Sequence, residues 1–284
     1  MQPFDYLEPT NAADACRMLA DRDGAARVLA GGTDLIIQME MGRHQPAAIL
    51  FLGRLPELRE IRFDPRAGLT IGALATLRAI ELHPAIQARY PVLARGAAEV
   101  GSVQIRNLAT LGGNMCNASP SADTSPSLLV LDAEVRILGT GGERSVPITG
   151  FWTGPGRTVL TPGEIVTSVH LPVPRENTRS FYYKLAVRKA MDLAMVGIAV
   201  TAVPRNGGFD QARMALGAVA PTALRVTEAE ALVTGRPLTD DLIEQAAQRA
   251  IETSRPISDQ RASAEYRREM VGALTRRALR HCRD

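Results

Sequence analysis

The spacing of apolar positions changes several times along the chain, and each change marks an element. Phe4 and Tyr6 alternate with polar neighbours as an extended piece, and Ala12, Ala15, Cys16 and Leu19 then fall at helical spacing over Asn11 to Ala20. Val28 to Ala30 predicts a short buried strand, Leu35 to Met41 an apolar helix, and Ile49 to Leu52 another strand. Together these form an α/β unit over residues 1–55, closed by Pro56. Beyond it the pattern mixes a strand at Leu69 to Gly72 with helices at Leu77 to Leu82, Val92 to Val100 and Leu128 to Leu131. Strands at Glu134 to Leu138, Val159 to Leu160 and Ile165 to Leu171 then predict a mainly antiparallel sheet for residues 56–174, ended by Pro172-Val173-Pro174. Residues 175–284 begin with strands at Phe181 to Ala186, Val196 to Val203 and Ala212 to Ala218, the last two joined through Asn206-Gly207-Gly208. Helices at Glu228 to Leu232, Asp240 to Thr253 and Ala264 to His281 each carry a one-sided apolar stripe, which predicts a three-stranded antiparallel sheet covered by a three-helix bundle. The fold class is α+β in three parts.

Charge and cysteine content narrow the function. The net charge is +3 and Lys184 and Lys189 are the only lysines, so the positive charge is almost all arginine. Between Arg261 and Arg283 acidic residues interrupt the arginines, which describes the solvated face of a helix and not a phosphate track, so nucleic acid is not an expected partner. Cys16, Cys116 and Cys282 are too few and too scattered for a disulfide framework, a zinc site or an iron–sulfur cluster held by this chain alone. The start lacks a basic and apolar leader and no stretch is long and apolar enough to span a bilayer, so a cytoplasmic location and no membrane are expected. The four histidines stand alone, and neither a G-x-S-x-G nor a P-loop pattern occurs. Gly154-Pro155-Gly156 lacks the third glycine and the helix of a dinucleotide fingerprint. No catalytic or metal-ligating residue is expected.

What remains is a pair of similar segments, Ala30-Gly31-Gly32-Thr33-Asp34 and Thr110-Leu111-Gly112-Gly113-Asn114. Each is an apolar run that breaks at two glycines, where missing Cβ atoms let main-chain N–H groups approach an anion, followed by Thr33 or Asn114 as a side-chain donor. The pattern predicts two halves of one diphosphate clamp. Asp34 would be repelled by a diphosphate and is expected to cap the helix from Leu35 or to point away. Asp123, just ahead of a helix, has two readings of equal weight: an acceptor for ribose hydroxyls, or a helix cap.

At these residues the chain resembles the FAD-binding medium subunit of molybdenum hydroxylases, the xanthine dehydrogenase and carbon monoxide dehydrogenase group. Leu29 to Leu35 resembles the family's first flavin loop, and the string from Gln104 to Pro120, running on to Ala122-Asp123, its second. Lys184, Arg188-Lys189-Ala190-Met191-Asp192 and Ala220-Pro221-Thr222 match its C-terminal region. The resemblance covers essentially the whole chain and implies a vanillyl-alcohol-oxidase/PCMH-type FAD fold in two subdomains, followed by a separate C-terminal domain.

It also implies a heterotrimer. A large molybdopterin-binding subunit oxidises substrate, a small subunit with two [2Fe–2S] clusters relays electrons, and FAD on this chain passes them to an acceptor; whether the heterotrimer doubles is left open. The matching positions place Val28, Leu29, Ala30, Gly31, Gly32 and Thr33, with Thr110, Gly112, Gly113 and Asn114, along the pyrophosphate. Asp123 would meet the ribose, Cys116 and Val166 the adenine end, Val100 and Gly101 the isoalloxazine, and Lys184 the ring's polar edge, where the alternative is a surface ion pair. Thr33-Asp34 departs from the Gly-Gly-His-Ser usual in carbon monoxide dehydrogenases, and the cysteine-bearing insertion of hydroxybenzoyl-CoA reductases is missing. Ala190 and Met191 stand where xanthine dehydrogenases that use NAD are more charged. A purine or other N-heteroaromatic substrate is therefore expected, with an aldehyde or CoA thioester as alternatives, and a non-redox assembly subunit as the reading of another class.

Overall fold

The computed structural model describes residues 2–284. The N-terminal part orders β1 (Asp5–Leu7), α1 (Ala12–Ala20), β2 (Ala26–Leu29), α2 (Leu35–Glu40) and β3 (Ala48–Phe51), with the strands in a parallel sheet of order β1-β3-β2. Asn11 starts α1 as predicted, its side chain accepting from the Asp14 N–H at 2.8 Å. Ala15, Cys16 and Leu19 pack on Leu50 and Leu52 in a small core. Val28 departs from the buried strand expected of it: it is 38% exposed, because β2 forms one wall of a cavity.

The middle part contains β4 (Ile61–Asp64), β5 (Gly68–Gly72), α3 (Leu77–Leu82), α4 (Pro84–Arg89), α5 (Pro91–Ala98), α6 (Val103–Leu108), α7 (Leu111–Cys116) and α8 (Thr124–Val130). After these come β6 (Glu134–Gly139), β7 (Gly142–Pro147), β8 (Trp152–Gly154), β9 (Arg157–Thr158) and β10 (Ile165–Leu171). The main sheet is antiparallel with order β4-β5-β10-β6-β7. Its inner face, Leu69, Ile71, Val135, Ile137, Val169 and Leu171, packs on α3, α5 and α8. The strand expected at Val159 to Leu160 lies two residues earlier, as β9. The second glycine pair does not end a strand. It follows α6 and lies inside the first turns of α7, which begins because the Thr110 side chain accepts from the Gly113 N–H at 3.1 Å. Six residues span fewer than two helical turns and carry a weak periodic signal: the pattern reading finds α2 and α3 at that length but not α4, α6 and α7.

The C-terminal part has β11 (Arg179–Leu185), β12 (Val196–Arg205), β13 (Gly208–Gly217) and β14 (Leu224–Arg225) in sequential antiparallel order, so a two-residue strand joins the three expected ones. Positive φ at both Asn206 and Gly207 makes the tight turn between β12 and β13. The helices α9 (Thr227–Val233), α10 (Asp240–Thr253) and α11 (Ala264–Arg283) cover one face of the sheet. Both faces are buried. Phe181, Tyr183, Ile198 and Val200 join the helices, whereas Tyr182, Ala199 and Ala215 join the core of the middle part. Small residues on that second face let α8 approach, and a Cβ on Gly217 would lie 2.9 Å from Pro126.

Candidate functional site

A cavity of about 1100 Å³ runs between the three parts. Of the residues singled out from sequence, all but Leu29 and Lys184 line it, including Cys116, Asp123 and Val166. The two glycine segments, some eighty positions apart, adjoin: a Cβ on Gly31 would lie 1.9 Å from the carbonyl oxygen of Leu108, just ahead of the second segment, so only glycine permits the approach, and a Cβ on Gly113 would lie 3.9 Å from Ala30 Cβ.

Their roles differ. Among the described residues no backbone carbonyl accepts from the N–H groups of Gly31, Gly32, Thr33, Asp34 and Leu35, and Gly32 has φ +74°. This row of free N–H groups on the cavity wall is a nest for an anion. In the second segment the N–H groups are already bonded. Leu111 donates to Ala75 O at 3.0 Å, Gly112 to Ala73 O at 2.8 Å and Asn114 to Thr110 O at 2.9 Å, while Gly113 donates to the Thr110 hydroxyl. A Cβ on Gly112 would meet Ala73 at 2.8 Å, so this glycine serves packing. The second segment therefore offers side chains. Asn114 Oδ1 accepts from the Thr124 hydroxyl at 2.6 Å, which directs its amide donors away from that bond.

Asp34 stands at the N-cap position of α2, but its side chain makes no capping bond. It lines the cavity, and partial burial raises its carboxyl above the ordinary range, a reluctance to ionise that suits a place beside an anion. Burial pushes the Cys116 thiol up to about 12, so it is a neutral apolar group and not a nucleophile.

Gly101, with φ +53°, forms a turn with Val100 at the end of α5. Arg106, 7% exposed, holds that turn: its Nη1 donates to Val100 O at 3.0 Å, and its Nε to Glu81 Oε2 at 2.8 Å. Arg106 falls within the string from Gln104 to Pro120, but its role is not read from sequence, because it depends on α3 and α6 meeting. Replacing it by methionine is expected to loosen the turn and weaken cofactor binding about tenfold, since a charge-assisted bond is removed and Glu81 is left unpaired on that side; equilibrium titration of the variant measures this.

Asp123 and Lys184 meet across the chain. Lys184 Nζ donates to Asp123 Oδ2 at 2.8 Å and to Glu99 O at 2.9 Å, and the Tyr182 hydroxyl donates to Asp123 Oδ1 at 3.0 Å. Both members of the ion pair have side chains only 6% exposed, so this is a buried pair and not a surface one. Asp123 makes no capping bond to α8. Burial pushes its carboxyl up to about 6, against the pull of Lys184 and Tyr182. Tyr182 was legible in the sequence only through its strand: two residues before Lys184, it shares that face of β11. The C-terminal part completes the rim with Arg188, Met191, Asp192, Leu193 and Arg261. Arg188 and Arg261 are tied to Asp192 and Asp259 respectively. Among the described residues no cluster suits a metal ion and no helix is long and apolar enough to cross a membrane.

A cavity of this volume lined by a row of free N–H groups, a buried carboxylate and an apolar turn fits a dinucleotide such as FAD. Comparison with known proteins agrees. Residues 2–174 match the FAD binding domain in molybdopterin dehydrogenase, and residues 181–282 the CO dehydrogenase flavoprotein C-terminal domain. A putative xanthine dehydrogenase FAD-binding subunit from Escherichia coli is 36% identical over 275 residues, covering 96% of this chain and 94% of that protein. Among solved structures, carbon monoxide dehydrogenase from Hydrogenophaga pseudoflava superposes with a TM-score of 0.96 at 33% identity over 99% of this chain and 98% of that one. Quinoline 2-oxidoreductase from Pseudomonas putida 86 does so with 0.92 at 29% identity, over 99% and 97%.

Proposed function

The chain belongs to the family of FAD-binding domains in molybdopterin dehydrogenases and is the FAD-binding electron-transfer subunit of an oxidoreductase; from that premise we propose how its residues hold the cofactor and what the complete enzyme does. Bound FAD would supply reversible uptake and release of electrons. The chain's own work is to bind, orient and enclose. The free N–H groups from Gly31 to Leu35 receive the pyrophosphate, with the Asn114 amide as a side-chain donor from the adjoining second segment. Asp123 accepts from the ribose hydroxyls. Val100 and Gly101, held by Arg106, line the isoalloxazine. The single observation that carries this reading is the row of N–H groups without backbone partners on residues that line the cavity, Gly31 to Leu35.

The assembly is a heterotrimer with a large molybdopterin-binding subunit and a small subunit carrying two [2Fe–2S] clusters, working in the cytoplasm. This chain has three cysteines, too few to ligate those clusters itself. Xanthine dehydrogenase and quinoline oxidoreductase relatives support a purine or other N-heteroaromatic as substrate of the whole enzyme. Thr33-Asp34 in the first loop supports the same choice over carbon monoxide.

Trp152 is the only tryptophan, and its Nε1 donates to Met115 O in α7, beside the cavity. The purified chain is expected to carry one FAD, released by acid, and FAD added to the apoprotein is expected to quench Trp152 fluorescence. A folded, colourless protein whose tryptophan emission ignores FAD, even with its partners co-expressed, would replace this reading with a non-redox assembly subunit.

A further inference from the structure

We propose that Tyr182 is a positioning residue for the cofactor: with Lys184 it carries the C-terminal domain's hold on Asp123 and so orients that carboxylate at the cavity wall. The inference rests on the FAD reading above and extends it to a residue that the glycine loops do not suggest. Asp123 lines the cavity, while Tyr182 and Lys184 stand behind it and do not. Each carboxylate oxygen takes one bond from β11, Oδ1 from Tyr182 and Oδ2 from Lys184. An ionised carboxylate has about four lone-pair sites, so one on each oxygen remains for a pair of neighbouring hydroxyls.

The arrangement also sets the alternatives aside. The Asp123 side chain is not spent on capping α8. The Tyr182 hydroxyl makes a single bond, at 3.0 Å, to this carboxylate, although the rest of its ring is packed in the apolar core. Burying a phenol there costs free energy unless its hydroxyl is satisfied, and a phenylalanine would fill the same space without that need. The bond joins two domains across 59 residues, with no role inside the sheet that carries Tyr182.

The charged groups around Asp123 are Lys184 and Tyr182 from β11, and Glu99 at the C-terminal cap of α5, itself paired with Arg95 at 2.7 Å. Burial and Glu99 favour the neutral carboxylic acid, while Lys184 and Tyr182 favour the carboxylate. Only the carboxylate accepts from two hydroxyls, so binding weakens as pH falls through about 6. Removing the Tyr182 hydroxyl removes one stabiliser of the charged form, and the fall must then begin at higher pH.

The test uses the full chain stripped of FAD and retitrated between pH 5 and 8.5, read by Trp152 quenching. For the wild type, affinity is expected to drop below about pH 6. For Tyr182→Phe the midpoint of that drop is expected to move up by about one unit, with roughly threefold weaker binding near pH 6.5, approaching about tenfold at pH 5, and little change at pH 8.5. Asp123→Asn is expected to bind weakly with no inflection in this range. A Tyr182→Phe profile identical to wild type, or lowered by one factor at every pH, overturns the positioning role. A wild type that binds FAD at no pH overturns the FAD reading itself, and this inference with it.

Discussion

Gly31→Val is expected to strip the chain of FAD while the C-terminal domain stays folded. The added Cβ would fall 1.9 Å from the Leu108 oxygen, 2.6 Å from its carbon and 3.1 Å from Ala109 Cα. All three are backbone atoms at the point where the two glycine segments adjoin, so no rotamer change relieves the overlap and the first loop must retreat. Overpacking of this kind costs about 1–3 kcal/mol, occasionally more. Here the displaced atoms include the N–H row of the anion nest, so FAD affinity is expected to fall by about a hundredfold, at 1.4 kcal/mol per factor of ten. Gly113→Ala is the milder contrast. Its Cβ would meet only the Thr110 hydroxyl at 2.9 Å, a side-chain atom that can turn aside at the expense of a cap. Flavin content per chain after gel filtration measures both, and limited proteolysis reports on the C-terminal domain, whose core of Val200, Met214, Ile243 and Leu279 is separate. Full flavin content in Gly31→Val would refute the clamp.

Glu230→Ala is expected to be the most destabilising change outside the cavity. Glu230, buried in α9, accepts from Arg225 Nε and Nη2, each at 2.6 Å, and from the Met214 N–H at 2.8 Å. Arg225 in turn reaches the middle domain, donating to Leu129 O at 3.3 Å and to Asp132 at 2.9 Å. Removing the carboxylate leaves Nε and Nη2 of the largely buried Arg225 and the Met214 N–H without acceptors, although Nη1 keeps Asp132, which costs roughly 3 kcal/mol. At about 2–4 °C per kcal/mol for a chain of this size, the melting temperature should fall by roughly 10 °C. A shift under about 2 °C would show that this network is dispensable.

Much of the architecture was legible because burial is written locally. The helix over Asn11 to Ala20, the strand Ile165–Leu171, the Asn206-Gly207 turn and the helix over Asp240 to Thr253 follow from period, cap and turn residues within one element. The resemblance carried by the string from Gln104 to Asp123 added the cofactor. Local signals misplaced what the tertiary environment overrode. Val28 reads as core and lines a cavity, and the second glycine pair reads as a strand end and lies in a capped helix. Asp34 reads as a cap or as a group pointing away from the ligand; it makes no capping bond and lines the cavity.

The order of residues along the chain supplies the groups available for the site: two glycine pairs, Asp123, and on β11 a tyrosine and a lysine two positions apart. How they divide the work follows from the packing of the three parts. It brings Gly31 against Leu108, leaves the first loop's N–H groups free, and commits those of the second to Ala73, Ala75 and Thr110. It also joins Lys184 and Tyr182 to an aspartate about sixty residues away. The reason is physical: periodicity reports which side of an element is buried, whereas a donor's partner depends on where the chain returns. That return is set by the packing of whole domains, and no short window of sequence contains it.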